Sequence, residues 1–148
     1  MKPPTLLTLL SSAVLLFPVA SGALEIPQIK PGLWGISEQH SDDGAALTAP
    51  YSTQSCLTEA DMESVKKMGE DMIKKSCSKN ELRKEGGKWI NSVVCKIGGQ
   101  TVSTQTTAEF NGDIAYRSSH IYTYAPPVDG QPRTRRQVID GKWLGPCK

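Results

Sequence analysis

Cys77-Ser78-Lys79-Asn80-Glu81-Leu82-Arg83-Lys84-Glu85-Gly86-Gly87-Lys88-Trp89-Ile90-Asn91-Ser92-Val93-Val94-Cys95 is the stretch that decides the fold. Its centre, Glu85-Gly86-Gly87, is a hairpin turn signal between two runs that alternate or carry β-branched residues. Cys77 and Cys95 lie nine residues either side of Gly86. Across an antiparallel hairpin with that centre they sit nearly opposite each other, and a disulfide needs Cα atoms only about 4.4 to 6.8 Å apart. Two more cysteines remain, Cys56 and Cys147, and by elimination they form the second bridge. No Cys-x-x-Cys occurs and neither histidine is near a cysteine, so the ligand spacing of a structural zinc site is missing.

Two bridges require an oxidising compartment, and the start of the chain points to one. Met1-Lys2, an apolar run over 6–17 and the small residues Ala20-Ser21-Gly22-Ala23 have the order of a secretory signal peptide. The run is short of the roughly 20 residues needed to cross a bilayer, and no cysteine follows that could carry a lipid. The expectation is therefore a signal peptide over 1–23, cut after Ala23 with Gly22 as the close rival, and a single released domain over 24–148. Its place is the periplasm, or alternatively outside the cell, with no stable membrane anchor. Lys+Arg 17 against Asp+Glu 15 makes the chain nearly neutral, and the signal peptide takes one lysine with it. Export argues against a nucleic-acid partner. Hydrophobic residues are 38% of the whole chain and fewer once the leader is gone. That is lean beside the about 45 to 50% usual for a count including Gly, so cross-links supply stability that packing does not.

Working outward from the hairpin, residues 31–37 read as a first strand, 40–50 as a loop and 51–56 as a short extended piece. Thr58 caps a helix over roughly 59–75, with Glu59 and Asp61 at the positive end of its dipole. Met62, Val65, Met68, Met72 and Ile73 form its apolar stripe, opposite Lys66, Lys67, Glu70, Lys74 and Lys75. That stripe is expected to pack on the sheet rather than to serve as an adaptable binding surface. Gly69 marks a close approach to a strand. Residues 101–110 and 114–124 form a second hairpin about Asn111-Gly112-Asp113. A three-residue turn is preferred to a two-residue one because it puts Val102, Ala108 and Phe110 on one face with Ile114, Tyr116 and Tyr122, where a two-residue turn would oppose them to Ala115 and Arg117. A last strand covers 133–139. The fold class is α+β, mostly β: one antiparallel, curved sheet of about six strands with one amphipathic helix and two disulfides. Trp34 and Trp143, near opposite chain ends, are both expected to be buried.

Pro31-Gly32-Leu33-Trp34, Ser55-Cys56-Leu57-Thr58 before a helix, the Cys-flanked hairpin and the terminal Gly141-Lys142-Trp143-Leu144-Gly145-Pro146-Cys147 stand in a particular order. In this the chain resembles the exported bacterial family catalogued as domain of unknown function 3617, over essentially all of 24–148. The resemblance implies a Gram-negative periplasmic setting and no known activity. Gly35 departs from it, since the family usually follows Pro-Gly-Leu-Trp with Glu.

Raw material for catalysis is thin. His40 and His120 are the only histidines, and no Gly-x-Ser-x-Gly elbow, His-Glu-x-x-His or phosphate-cradling loop is present. His40 with Asp42 and Asp43 reads as solvated loop rather than a metal site, and Glu109 with Asp113 as surface charge. Arg133, Arg135, Arg136, Lys142 and Lys148 form a basic cluster that the pleat splits between two faces, as on a solvated strand edge. No catalytic, cofactor or metal residue is assigned. The favoured reading is a non-catalytic module for a small apolar or amphipathic ligand, faced by Tyr116, His120, Tyr122, Tyr124, Phe110 and Met72. His120 is there chiefly as a structural residue. The alternative is an envelope structural or protein-interaction domain, and a hydrolase comes third.

Overall fold

The computed structural model describes residues 24–148; the expected signal peptide lies outside the described residues. Seven strands form one open antiparallel sheet. They are β1 (Gly32–Asp42), β2 (Tyr51–Leu57), β3 (Cys77–Glu85), β4 (Lys88–Ile97), β5 (Gln100–Asn111), β6 (Ala115–Ala125) and β7 (Thr134–Gly145), with helix α1 (Glu59–Ser76) between β2 and β3. The order across the sheet is β2-β1-β7-β6-β5-β4-β3. Seven strands replace the expected six or so because the piece over 51–56 pairs along its whole length with β1.

Two other boundaries move for the same reason. β1 runs on to Asp42, where a loop was expected from residue 40, because Glu38 to Asp42 face Ile139 to Arg135 across β7. β7 in turn continues unbroken to Gly145. Within the deciding hairpin Glu85 pairs with Lys88, and Gly86 and Gly87 take φ of 54° and 82° in the left-handed region where glycine is unstrained. The second hairpin pairs Phe110 with Tyr116 around a turn at 112–114, so Tyr116 and Tyr122 keep the expected face, but the turn sits one residue later and takes Ile114, 46% exposed, out of the strand. Both disulfides are as expected, Cys77–Cys95 and Cys56–Cys147.

Register and helix length together dictate the shape. By the register, β3 begins six strand spacings across from the end of β2 and about twelve residues further along the strand direction. In a flat sheet that diagonal would be about 50 Å. The only connection is α1, whose 18 residues reach about 27 Å. The sheet must coil so that opposite corners approach, and one side becomes the inside of the coil. That side carries Trp34, Ile36, Glu38, His40 and Asp42 of β1 and every second residue of the strands paired to it. Along β5 and β6 none of its residues is exposed, whereas Ser103, Gln105, Glu109, Arg117, Ile121 and Thr123 on the other side are.

The helix is started as the sequence predicts. Thr58 Oγ1 accepts from the Asp61 amide at 3.1 Å, and Asp61 Oδ2 accepts from the Thr58 amide at 3.0 Å, a reciprocal cap. Its apolar stripe behaves otherwise. No residue of α1 is buried, and Val65, Met68 and Met72 stand 63%, 66% and 46% exposed. Gly69 marks no close approach, since a Cβ there would meet nothing within 4 Å. The helix is a strap between two sheet edges that touches mainly β3 and β4, so its remaining length has no layer to pack on.

Candidate functional site

The inner side of the coil has an apolar end and a polar end. At the apolar end Tyr116 lies across the backbone of Gly141, where an added Cβ would stand 2.2 Å from the ring. The same ring approaches Trp34 at 5.7 Å and Phe110 at 6.2 Å, both tilted, the geometry in which aromatic pairs attract. Trp34 is fully buried and Trp143 half-buried, close to expectation. Both indoles clasp the segment before β1: Trp34 Nε1 donates to the Lys30 carbonyl at 2.8 Å and Trp143 Nε1 to that of Pro31 at 3.0 Å. Lys30 Nζ sits 4.2 Å from the centre of the Trp143 ring. At Gly32 a Cβ would come within 2.2 Å of Trp143 Nε1. The two terminal motifs noted in the sequence are thus halves of one structural clasp.

Two rungs along, the side turns polar. Glu38, His40, Tyr122, Tyr124, Arg135 and Gln137 line a cleft of about 370 Å³. Asp42 takes the Arg135 guanidinium in a two-point pair, Nε to Oδ1 at 2.8 Å and Nη2 to Oδ2 at 3.0 Å. That hydrogen bond holds the Asp42 carboxyl below its ordinary value. Gln137 Nε2 donates to Glu38 at 2.6 Å, while Gln137 Oε1 accepts from the Tyr122 hydroxyl at 3.2 Å. His120 stacks on Tyr122 with centroids 6.1 Å apart. Both of its nitrogens are engaged, Nδ1 with Thr106 Oγ1 and Nε2 with Ser118 Oγ, each at 3.0 Å. Burial pushes the His120 pKa down, with Glu38 partly opposing. Burial raises Tyr122, aided by Tyr124 and Glu38, and raises Tyr116.

Of the residues singled out in the sequence, Phe110, Tyr116, His120, Tyr122 and Tyr124 do share this side. Met72 does not join them in the contacts α1 makes, because the helix lies mainly against β3 and β4. Glu38, His40, Asp42 and Gln137 were missed as a set because the loop reading cut β1 short. The run Ser37-Glu38-Gln39-His40-Ser41-Asp42 is polar on both faces, so no alternation marks the strand as continuing. The acid His40-Asp42-Asp43 group is dispersed: Asp42 holds Arg135, and Asp43 Oδ1 accepts the Arg133 and Thr134 amides at 2.9 Å. Glu109 pairs with Lys88 at 3.0 Å. Among the described residues no three His, Cys, Asp or Glu converge as metal ligands would.

The larger hollow, about 780 Å³, spans β2, β1, β7, β6 and β5 at the Tyr116 end. Gly35, Ser37, Arg117, Asp140, Lys142 and Leu144 line it from the outer side of the pleat, alongside Ile36, Phe110 and Tyr116. It is the roomier of the two, but the 3.3 Å Arg117–Asp140 pair and Lys142 make its rim a surface of ordinary solvated charge. The cleft is lined from the inner side alone, and its polar groups are oriented by one another.

A family model described as "Protein of unknown function (DUF3617)" matches residues 29–147. The chain belongs to that family. No curated protein and no solved structure matches it. Within this DUF3617 chain the clasp of Trp34, Trp143 and Gly32 and both disulfides all fall inside the matched span.

Proposed function

We propose that this DUF3617 protein is an exported, non-catalytic binding module for a small amphipathic ligand, held on the inner side of the coiled sheet. One observation carries the reading. On the inner side Ile36, Ile139, Tyr116 and Phe110, half-buried about the fully buried Trp34, stand in register beside Glu38, which lines the polar cleft with Arg135, and α1 lies mainly against β3 and β4. An apolar region beside a few converging polar groups is what a ligand with two chemically distinct ends requires. His120 supports the non-catalytic part, because among the described hydrogen bonds its Nδ1 faces the Thr106 hydroxyl rather than a carboxylate that would orient the ring as a base toward Ser118.

The alternative, an envelope structural or protein-interaction domain, is favoured by the stripe of Val65, Met68 and Met72 turned to solvent on α1. Native mass spectrometry of the chain purified gently from the periplasm separates the two. An excess of a few hundred daltons that disappears on denaturation supports the binding module. A bare monomer mass together with a reproducible crosslinked protein partner supports the interaction domain.

A further inference from the structure

We infer that the cleft formed by Glu38, Tyr122 and Tyr124 is a site for a cationic head group, an organic ammonium carried on an apolar tail. This rests on the binding-module reading and adds the chemical class of the head.

The charges of the cleft decide the sign. Arg135 is the cation among its lining residues, and Asp42 engages it through both carboxylate oxygens, so its charge is answered locally. Glu38 has no such answer. Among the described ion pairs it takes part in none, and its hydrogen-bond partner is the neutral amide of Gln137. A carboxylate has about four acceptor positions, which leaves most of those on Glu38 unused. Its field reaches the walls of the cleft, where it raises Tyr122 and works against the loss of the His120 proton.

The walls themselves favour the same guest. Tyr122 and Tyr124 lie on one side of β6, two residues apart, and both line the cleft with Glu38 of β1, which stands four positions along from the rung of Tyr122, Arg135 and Asp42. An aromatic face attracts a cation through its quadrupole, and more strongly where water is partly excluded. An anionic head would meet the Glu38 charge and find Arg135 already committed. A neutral head would lose nothing and gain nothing. The direction of the apolar part follows from the register: from Glu38 the inner side continues to the half-buried Ile36 on β1 and Ile139 on β7 and then to the Tyr116 ring, Trp34 and Gly141 themselves being buried. A tail laid there covers Ile36, Ile139 and the Tyr116 ring while its head stays in the cleft. The near-neutral charge of the chain as a whole offers no general attraction for cations that could mimic this.

Three probes with the same tail test it: dodecyltrimethylammonium, dodecyl sulfate and dodecyl maltoside, each titrated below its micelle concentration into the disulfide-bonded chain by isothermal calorimetry. The expected order is ammonium first, about tenfold tighter than maltoside, with sulfate weakest. Glu38→Gln, which keeps an acceptor for Gln137, should abolish the ammonium preference and leave maltoside affinity unchanged. Tyr124→Leu should reduce the preference about threefold while retaining the carboxylate. Each variant is compared at a melting temperature matching the parent. Equal binding of all three probes, tighter binding of sulfate, or an ammonium preference that survives Glu38→Gln overturns the head-group assignment and leaves the binding module standing. Failure of every probe to bind overturns both.

Discussion

Strand β1 and helix α1 are both amphipathic, and the fold treats them in opposite ways. Trp34 on β1 is 0% exposed, whereas Met68 on α1 is 66% exposed. The difference lies in how many neighbours the topology grants. β1 is paired on both sides, with β2 and with β7, and the rungs bring Tyr116 and Trp143 to Trp34. α1 joins the two edges of the sheet, and its length answers the distance between them rather than the need to bury a stripe. Hydrophobic periodicity therefore proposes a buried face, but only a second layer can accept it.

The sharpest way to break that comparison is to truncate both sides of it. Trp34→Ala should cost about 3 to 5 kcal/mol, because it empties a fully enclosed site, while Met68→Ser should stay within about 0.5 kcal/mol. Urea unfolding of the two variants measures both, and comparable losses would mean that α1 is packed after all. Next in size are the bridges. Removing Cys56–Cys147 as the double serine variant should cost on the order of 2 to 5 kcal/mol. Because it closes 91 residues against 18 for Cys77–Cys95, its loss should exceed that of the other bridge by about 1 kcal/mol.

Two glycines sharpen the comparison further, in opposite directions. Gly141→Ala drives a methyl into the Tyr116 ring and should destabilise by about 1 to 3 kcal/mol. Gly69→Ala meets open space in a helix and should stabilise by up to about 1 kcal/mol. Thermal melts of the pair give the signs directly. The smallest effect is that of pH on His120. Burial holds its folded pKa below the ordinary histidine value of 6.5, so the unfolded chain binds the proton more readily. Its contribution is therefore complete above that value and declines as pH falls through it toward the folded pKa. His120→Asn should flatten this part of the stability profile between neutral and mildly acid pH, and an unchanged slope would place the titration elsewhere.

Much of the frame was readable because it depends on local rules. Gly86-Gly87 fixes a two-residue turn, that turn fixes the register as far as Lys79 opposite Val94, and a one-residue register shift between Cys77 and Lys79 then sets Cys77 against Cys95. Thr58 and Asp61 start the helix through bonds made within four residues. The candidate site was legible only in part. Tyr116, His120, Tyr122 and Tyr124 share a face by simple alternation, but Glu38, Asp42 and Gln137 enter it through pairings 93 to 99 residues apart in the chain. Nothing near residue 40 announces that its strand continues, because the partner that extends it is β7.

The amino-acid sequence by itself determined the hairpins, the capped helix, the disulfide pairing and the alternation of an aromatic side, since each follows from residues close together or from elimination among four cysteines. Only the tertiary structure decided that β1 and β7 lie side by side between β2 and β6, that the sheet coils to let 18 helical residues join its opposite corners, and that the helix stripe stays in solvent. Those outcomes depend on distances between elements, and distance between elements is a property of the assembled register that no single segment carries.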